Sequence, residues 1–194
     1  LVLSLIKSIF WARFAMNQQR KLSNKVNYIA YVVASIDGRI AKNRRSGADW
    51  TSVEDWNFFQ KSLAKMDAVI VGHNTYKLVE ALKKRNTIVL TSKVILPKVL
   101  GNVTFLNPQK FSLKKFIISK KYKNVAIVGG PKVYNFCLKN KMLDELFVTI
   151  EPYVFTAGVL MFSGNEFKKH KFILQSVKKL NKKGTILLHY KYGN

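Results

Sequence analysis

Asp55 is one of only ten acidic residues in a chain with 34 lysines and arginines, and it sits in an apolar setting. It ends the segment Asp49-Trp50-Thr51-Ser52-Val53-Glu54-Asp55. Phe58 and Phe59 follow three and four residues on, which in a helix places them on the same face one turn along. A carboxylate beside such a wall is partly stripped of water, at a cost unless a cation or an N–H donor meets it. A flat ligand presenting two N–H groups would do so. Spacing alone leaves a second use open, a first-turn acid complementing the helix dipole. Thr51 and Glu54 have capping-box spacing, so Glu54 is expected to be structural.

A second kind of chemistry is offered by turns that suit phosphate. Gly72-His73-Asn74-Thr75-Tyr76 passes from an apolar run straight into a helix-like segment, and Gly129-Gly130-Pro131 does the same. Helix N-termini at strand ends present backbone N–H groups to anions, and glycine lets the backbone come close. Neither is the G-x-G-x-x-G fingerprint, and a lone glycine at such a place is often only a turn. Two of them in one small domain carry more weight. Thr91-Ser92-Lys93 adds two hydroxyls and a cation suited to a phosphate monoester, with an exposed turn as its plain alternative. Arg85 is one of few arginines and suits bidentate grip of a carboxylate, or a surface ion pair. No metal site is expected: Cys137 is the single cysteine, and His73, His170 and His189 lack ligand spacing.

These residues need elements to hold them, and the pattern supplies an alternation. A β-rich run at 26–36 begins the domain, followed by a helix at 51–65 with Trp56, Phe59 and Leu63 as its apolar stripe. A buried strand is expected at 67–72, a helix at 76–84, a strand at 87–91, a loop holding Pro97 and Gly101, and a short strand at 103–106. A helix starts near Ser112 as N-cap, then come a strand at 125–128, a helix from Pro131 to Lys139 and a strand at 145–150. Residues 172–180 and 185–192, separated by Asn181-Lys182-Lys183-Gly184, read as a hairpin. The expected class is α/β: a mixed, mostly parallel sheet with helices on both faces and a C-terminal antiparallel hairpin. Residues 26–194 form one domain, and 1–25 are expected to lie outside it.

Composition sets the limits. With 48% hydrophobic and 23% charged residues the chain is an ordinary globular protein. The formal charge of +24 creates a field that attracts anions. The lysines are spread through every segment, however, so a nucleic-acid-reading face is not expected, and a phosphate-rich small ligand suits the same field. The apolar stretch at 1–15 is too short to span a bilayer and lacks the marks of a secretory signal, so no membrane span is expected. The first methionine, Met16, makes it read as an upstream extension. A lone cysteine agrees with a reducing cytoplasm, and the chain is expected as a monomer or homodimer.

In their order these pieces resemble the dihydrofolate reductase superfamily, which includes the reductase domain of bacterial riboflavin biosynthesis. The likeness runs from about Tyr28 to Tyr192 through YVVASIDGRIA (31–41), ADWTSVEDWNFF (48–59), DAVIVGHNTY (67–76), RNTIVLTSK (85–93), VAIVGGPKVYNF (125–136) and DELFVTI (144–150). The resemblance implies NADPH as cofactor and a pterin or folate as substrate. Asp55 would be the catalytic carboxylate that holds the pterin N–H groups, with Val32, Val33 and Phe59 lining that pocket. Thr149 would reach the pterin edge, and Arg85 would grip the folate carboxylate. Ile40 and Ala41 would flank the nicotinamide. Gly72, His73 and Thr75 would meet the cofactor phosphates; Thr91, Ser92 and Lys93 the 2′-phosphate; and Gly129, Gly130, Lys132, Val133 and Tyr134 the pyrophosphate.

The sequence departs from this pattern in places. His73 stands where the family usually carries arginine. The loop 156–162 lacks the usual Gly-Asp-Thr and, like Ile36-Asp37-Gly38-Arg39-Ile40-Ala41, is similar to the riboflavin branch. Nothing after Thr75 resembles that branch's Asp-Asp-Pro segment, while Asp55 and Arg85 favour folate. The expected reaction is reduction of dihydrofolate to tetrahydrofolate. The alternatives are reduction of a phosphoribosylamino-pyrimidine and, in another class, a basic nucleic-acid-binding module on a reductase scaffold.

Overall fold

The computed structural model describes residues 25–43, 45–164 and 168–193. The extension expected at 1–25 therefore lies, Lys25 apart, outside the described residues. Nine strands form one sheet, in the order β10-β11-β8-β1-β7-β3-β4-β6-β5. Its centre is made of β1 (Asn27–Ser35), β3 (Ala68–Gly72), β4 (Thr87–Leu90), β6 (Val103–Leu106), β7 (Asn124–Ile127) and β8 (Glu145–Glu151), all parallel. The hairpin of β10 (Phe172–Lys179) and β11 (Ile186–Tyr192) adds antiparallel strands beside β8, and β5 (Lys98–Leu100) does so beside β6. A separate two-stranded ribbon joins β2 (Arg39–Ala41) to β9 (Val159–Leu160).

Helices cover both faces. On one side α3 (Leu113–Ser119) and α4 (Pro131–Lys139) set Leu113, Ile117, Val133 and Cys137 against Tyr28, Ala30, Ile70 and Ile127. On the other, α1 (Val53–Leu63) sets Phe58, Phe59 and Leu63 against Ile29, Tyr31, Val69 and Phe147. Alternate residues of β1 thus feed alternate cores, as the two-residue period of a strand requires. Strands β3 and β4 are buried on both faces, which explains their unbroken apolar runs. Asp67 holds the sheet's amino edge by accepting from the amides of Lys123 and Asn124, both at 2.8 Å.

The expected class is the one found, with local differences. Ser52, not Thr51, caps α1, its hydroxyl accepting from Asp55 N at 3.3 Å. Glu54 closes no capping box; it accepts from Asn181 Nδ2 at 3.1 Å. In place of a helix at 76–84, α2 (His73–Leu78) starts at once after Gly72 and stops where Val79 turns extended, before a 3₁₀ turn over Glu80–Lys84. The β-branched Val79 is at ease in that extended conformation. β5 lies in the expected loop, an exposed edge strand tied to β6 through Gly101 at φ +56°. Among the described residues no helix is long and apolar enough to cross a membrane.

Candidate functional site

Strands β1 and β7 pair only from Asn27 to Ala30, while β1 and β8 stay paired to Ser35. Beyond Ala30 one edge of β1 is therefore free, and the sheet opens into a cleft at the carboxyl ends of its strands, where open α/β sheets bind ligands. The cleft has a volume of about 1530 Å³. Small-molecule pockets run to roughly 300–1,000 Å³, so it has room for two ligands side by side.

One wall is built by α1 lying over β1 and β8, with β11 next in the sheet. Register puts Val33, Thr149 and Leu187 in one row and Tyr31, Phe147 and His189 in the next. Phe58 and Phe59 pack on Tyr31 with ring centroids 6.1 and 6.3 Å away, and Tyr31 stacks on Phe147 at 5.4 Å. Asp55 projects from the first turn of α1 into this wall and is only 8% exposed. Burial raises its pKa; the Thr149 hydroxyl opposes that, Glu151 adds to it, and Thr51 opposes it. The carboxyl thus lines an apolar cleft beside a buried threonine, with Val33 and Phe59 on its side of the sheet and Val32 reaching the cleft from the opposite face.

The other wall is made by two glycine turns. Gly72 N donates to Gly129 O at 2.8 Å, joining the start of α2 to the turn before α4. A Cβ on Gly72 would lie 3.2 Å from Val133 Cγ2, and one on Gly130 would lie 3.4 Å from Thr75 Oγ1, so the turns are packed closely. Gly130 caps α4 and Pro131 begins it, which sets the positive end of that helix at the cleft. His73 has a buried Nδ1 with no partner among the described residues, and burial, Lys77 and Lys93 lower its pKa. Thr91, Ser92, Lys93 and Lys132 continue this wall, and Ile40 and Ala41 of β2 approach between the two halves.

One expected site residue stands elsewhere. Arg85 does not line the cleft; its Nη1 donates to Leu63 O at 3.0 Å, tying the end of α1 to the strand β4. It follows the 3₁₀ turn, which swings it under α1. Tyr134 lines the back of the cleft, and its hydroxyl proton is committed to Tyr31 O at 2.7 Å. Sequence reasoning passed over three residues. Arg39 lines the cleft, 3.6 Å from Asp37. Asp37 in turn accepts from Phe155 N at 3.1 Å and Thr156 N at 3.0 Å, fixing the loop after β8. Glu151, 2% exposed, accepts from Ser52 N at 2.7 Å. The signal for Glu151 was its place two residues past Thr149, on the same strand face. Among the described residues no cluster of His, Cys, Asp and Glu is arranged to hold a metal.

Comparison with known proteins agrees with this architecture. The chain is 28% identical over 179 residues to the uncharacterized protein YwjB of Bacillus subtilis, spanning 84% of this chain and 95% of that one. Its fold is similar to dihydrofolate reductase of Enterococcus faecalis, solved with NADP(H), at a TM-score of 0.61 and 20% identity, covering 87% of this chain and 97% of that one. It is also similar to the Thermotoga maritima diaminohydroxyphosphoribosylaminopyrimidine deaminase/5-amino-6-(5-phosphoribosylamino)uracil reductase. There the TM-score is 0.68 and the identity 16%, over 89% of this chain and 58% of that one. The family model for dihydrofolate reductase matches residues 28–192. A match across the whole sheet and both cleft walls makes this chain a member of the dihydrofolate reductase family.

Proposed function

We propose that this chain is an NADPH-dependent reductase of a flat nitrogen heterocycle, with dihydrofolate as the leading substrate. One observation carries the reading. A buried carboxylate, Asp55, shares a single cleft with two helix N-termini packed through Gly72, Gly129 and Gly130. The glycine wall fits a dinucleotide: it is free of Cβ atoms at the closest approach, offers amide N–H groups, and carries Lys93 and Lys132 for phosphate. His73 adds a ring nitrogen that has no partner among the described residues.

NADPH, when bound, supplies the hydride. The chain's own residues orient and exclude. Asp55 accepts from the amino and amide N–H groups of the heterocycle and stabilises positive character on it. Thr149 keeps the carboxyl in place from below. Phe59, Val32 and Val33 hold the ring flat and keep water away, so the contact with Asp55 acts in a low dielectric, where it is strongest. The test is the fall of NADPH absorbance with dihydrofolate as acceptor; no oxidation at any pH sinks the folate reading.

A second reading keeps the chemistry and exchanges the substrate for a phosphoribosylamino-pyrimidine. Arg85 favours it, because the arginine expected to grip a folate carboxylate is bound to Leu63 O, while Arg39 lines the cleft instead. The Thermotoga reductase shares the fold. Running both acceptors in the same assay separates the two.

A further inference from the structure

Glu151 ends β8, two residues past Thr149 and on the same face of the sheet. A carboxylate so buried usually meets a cation. Among the described residues Glu151 forms no salt bridge. Both of its oxygens accept from neutral donors, one from Ser52 N and the other from Thr185 Oγ1, each at 2.7 Å. Ser52 is the cap of α1, and its hydroxyl accepts from Asp55 N. Thr185 opens the second limb of the terminal hairpin and accepts from Asn181 Nδ2 at 2.9 Å. The Asn181 amide also donates to Glu54 on α1. Glu151 is thus the node where β8, the first turn of α1 and the hairpin turn meet, one helical step from Asp55.

We infer that Glu151 is a positioning residue acting through Asp55: it pins the first turn of α1 to the cleft floor and sets a second buried acidic group behind the one that holds the ligand. The inference rests on the reading of Asp55 given above. The geometry explains why a carboxylate is kept here at all. Its own burial is unfavourable, and a hydrophobic residue would fill the space at lower cost, but it would leave the Ser52 amide and the Thr185 hydroxyl without the acceptor that now takes both. Its charge also adds to the proton affinity of Asp55, after the larger effect of burial. Other titratable groups on the elements around Asp55 include Glu54 and Lys61 on its own helix, Asp49 in the loop before it, Tyr31 on β1, Lys182 and Lys183 in the exposed hairpin turn, and Glu145, His189 and Lys191 further along β8 and β11.

The test is a carbon-13 NMR titration of the side-chain carboxyls in the ligand-free full chain, with amide hydrogen exchange read in parallel. Glu151→Gln keeps the length and an oxygen for Ser52 N but removes the charge, so the Asp55 midpoint should move to lower pH than in the unsubstituted chain. A midpoint that stays put means Glu151 only fills space, and the inference fails. Glu151→Asp keeps the charge but cannot reach as far. It should leave the Asp55 midpoint raised while the Ser52 amide exchanges roughly tenfold faster, the effect of losing one hydrogen bond to a charged group. Unchanged exchange at Ser52 overturns the pinning role even if Glu151→Gln does not fold. None of these measurements uses a substrate. Failure of the chain to oxidise NADPH would count against the reductase reading alone, and an Asp55 midpoint indifferent to Glu151 against this inference alone.

Discussion

The Tyr134 hydroxyl donates a 2.7 Å hydrogen bond to the carbonyl of Tyr31 just where β1 loses β7 as its neighbour. Burial pushes the hydroxyl's pKa far up, so it remains a donor. The same ring backs the glycine turn, since a Cβ on Gly129 would lie 3.2 Å from it. One side chain therefore replaces the missing ladder bond and supports the phosphate-facing wall. It joins the two halves of the cleft from behind.

Tyr134→Phe keeps the ring and removes the donor. The Tyr31 carbonyl is left buried without its partner, which costs about 1–3 kcal/mol. In a domain of this size each kcal/mol lowers the melting temperature by about 2–4 °C. NADPH affinity, read by fluorescence titration, should change much less than the melting temperature. The opposite pattern, intact melting and lost NADPH binding, would return Tyr134 to the ligand-contacting group.

Asp55→Asn should separate stability from turnover. Burial raises the Asp55 pKa above its ordinary 3.8. An acid with a raised folded pKa contributes stability that is complete below the unfolded value and is lost as pH rises through the folded one. At neutral pH the ionised carboxylate is therefore a burden on the ligand-free fold, and asparagine lifts it. The variant should melt at or above the wild-type temperature near neutrality, and the advantage should vanish in acid. Turnover should fall about 10²-fold or more, because a carboxamide turns an N–H toward a ligand edge that itself offers N–H groups. Near-wild-type turnover would remove Asp55 from the chemistry.

The parts of the site that could be read from sequence are those where local spacing settles direction. Phe58 and Phe59 lie one turn after Asp55, so their shared face follows from helical geometry, and Pro131 after two glycines marks the start of α4 directly. What escaped depended on long-range placement. β5 is exposed along its whole length and shows no alternation to detect. Thr51 and Ser52 are adjacent hydroxyls with equal claim to the cap, and the Glu151 contact to Ser52 N, 99 residues away in sequence, accompanies the choice. Arg85 follows a 3₁₀ turn whose exit direction no periodicity encodes, so its residue type suggested a grip that its position does not provide.

Gly129→Ala tests the cofactor wall. Gly129 has φ +103°, a region an L side chain enters only with strain, and the added methyl would press on the Tyr134 ring at 3.2–3.4 Å. Strain of this kind costs about 1–3 kcal/mol. Relief requires the turn to move away from Tyr134, and the hydrogen bond from Gly72 N to Gly129 O would be disturbed with it. NADPH affinity should fall at least as steeply as stability, in contrast to Tyr134→Phe. Calorimetric titration with NADPH beside a thermal melt provides the check, and unaltered affinity would place the dinucleotide elsewhere.

The two arginines divide the substrate readings. Arg85 donates to Leu63 O and secures the end of α1. Arg85→Ala should lower the melting temperature by a few degrees, the effect of about 1 kcal/mol in a domain this size, and leave the KM of an anionic acceptor as it was. Arg39 lines the cleft, its Nε is buried without a hydrogen-bond partner among the described residues, and Asp37 lies 3.6 Å away. A substrate phosphate or carboxylate could displace that loose pairing and take the guanidinium, a charge-assisted contact of about 1.5–3 kcal/mol. Arg39→Ala should therefore raise the KM of the anionic acceptor roughly ten- to a hundredfold, the kinetic equivalent of that energy. A KM with dihydrofolate that rises with Arg85→Ala and ignores Arg39→Ala would show that the substrate's anionic tail leaves the cleft beneath α1. The glutamyl grip expected of Arg85 would then be restored despite its bond to Leu63.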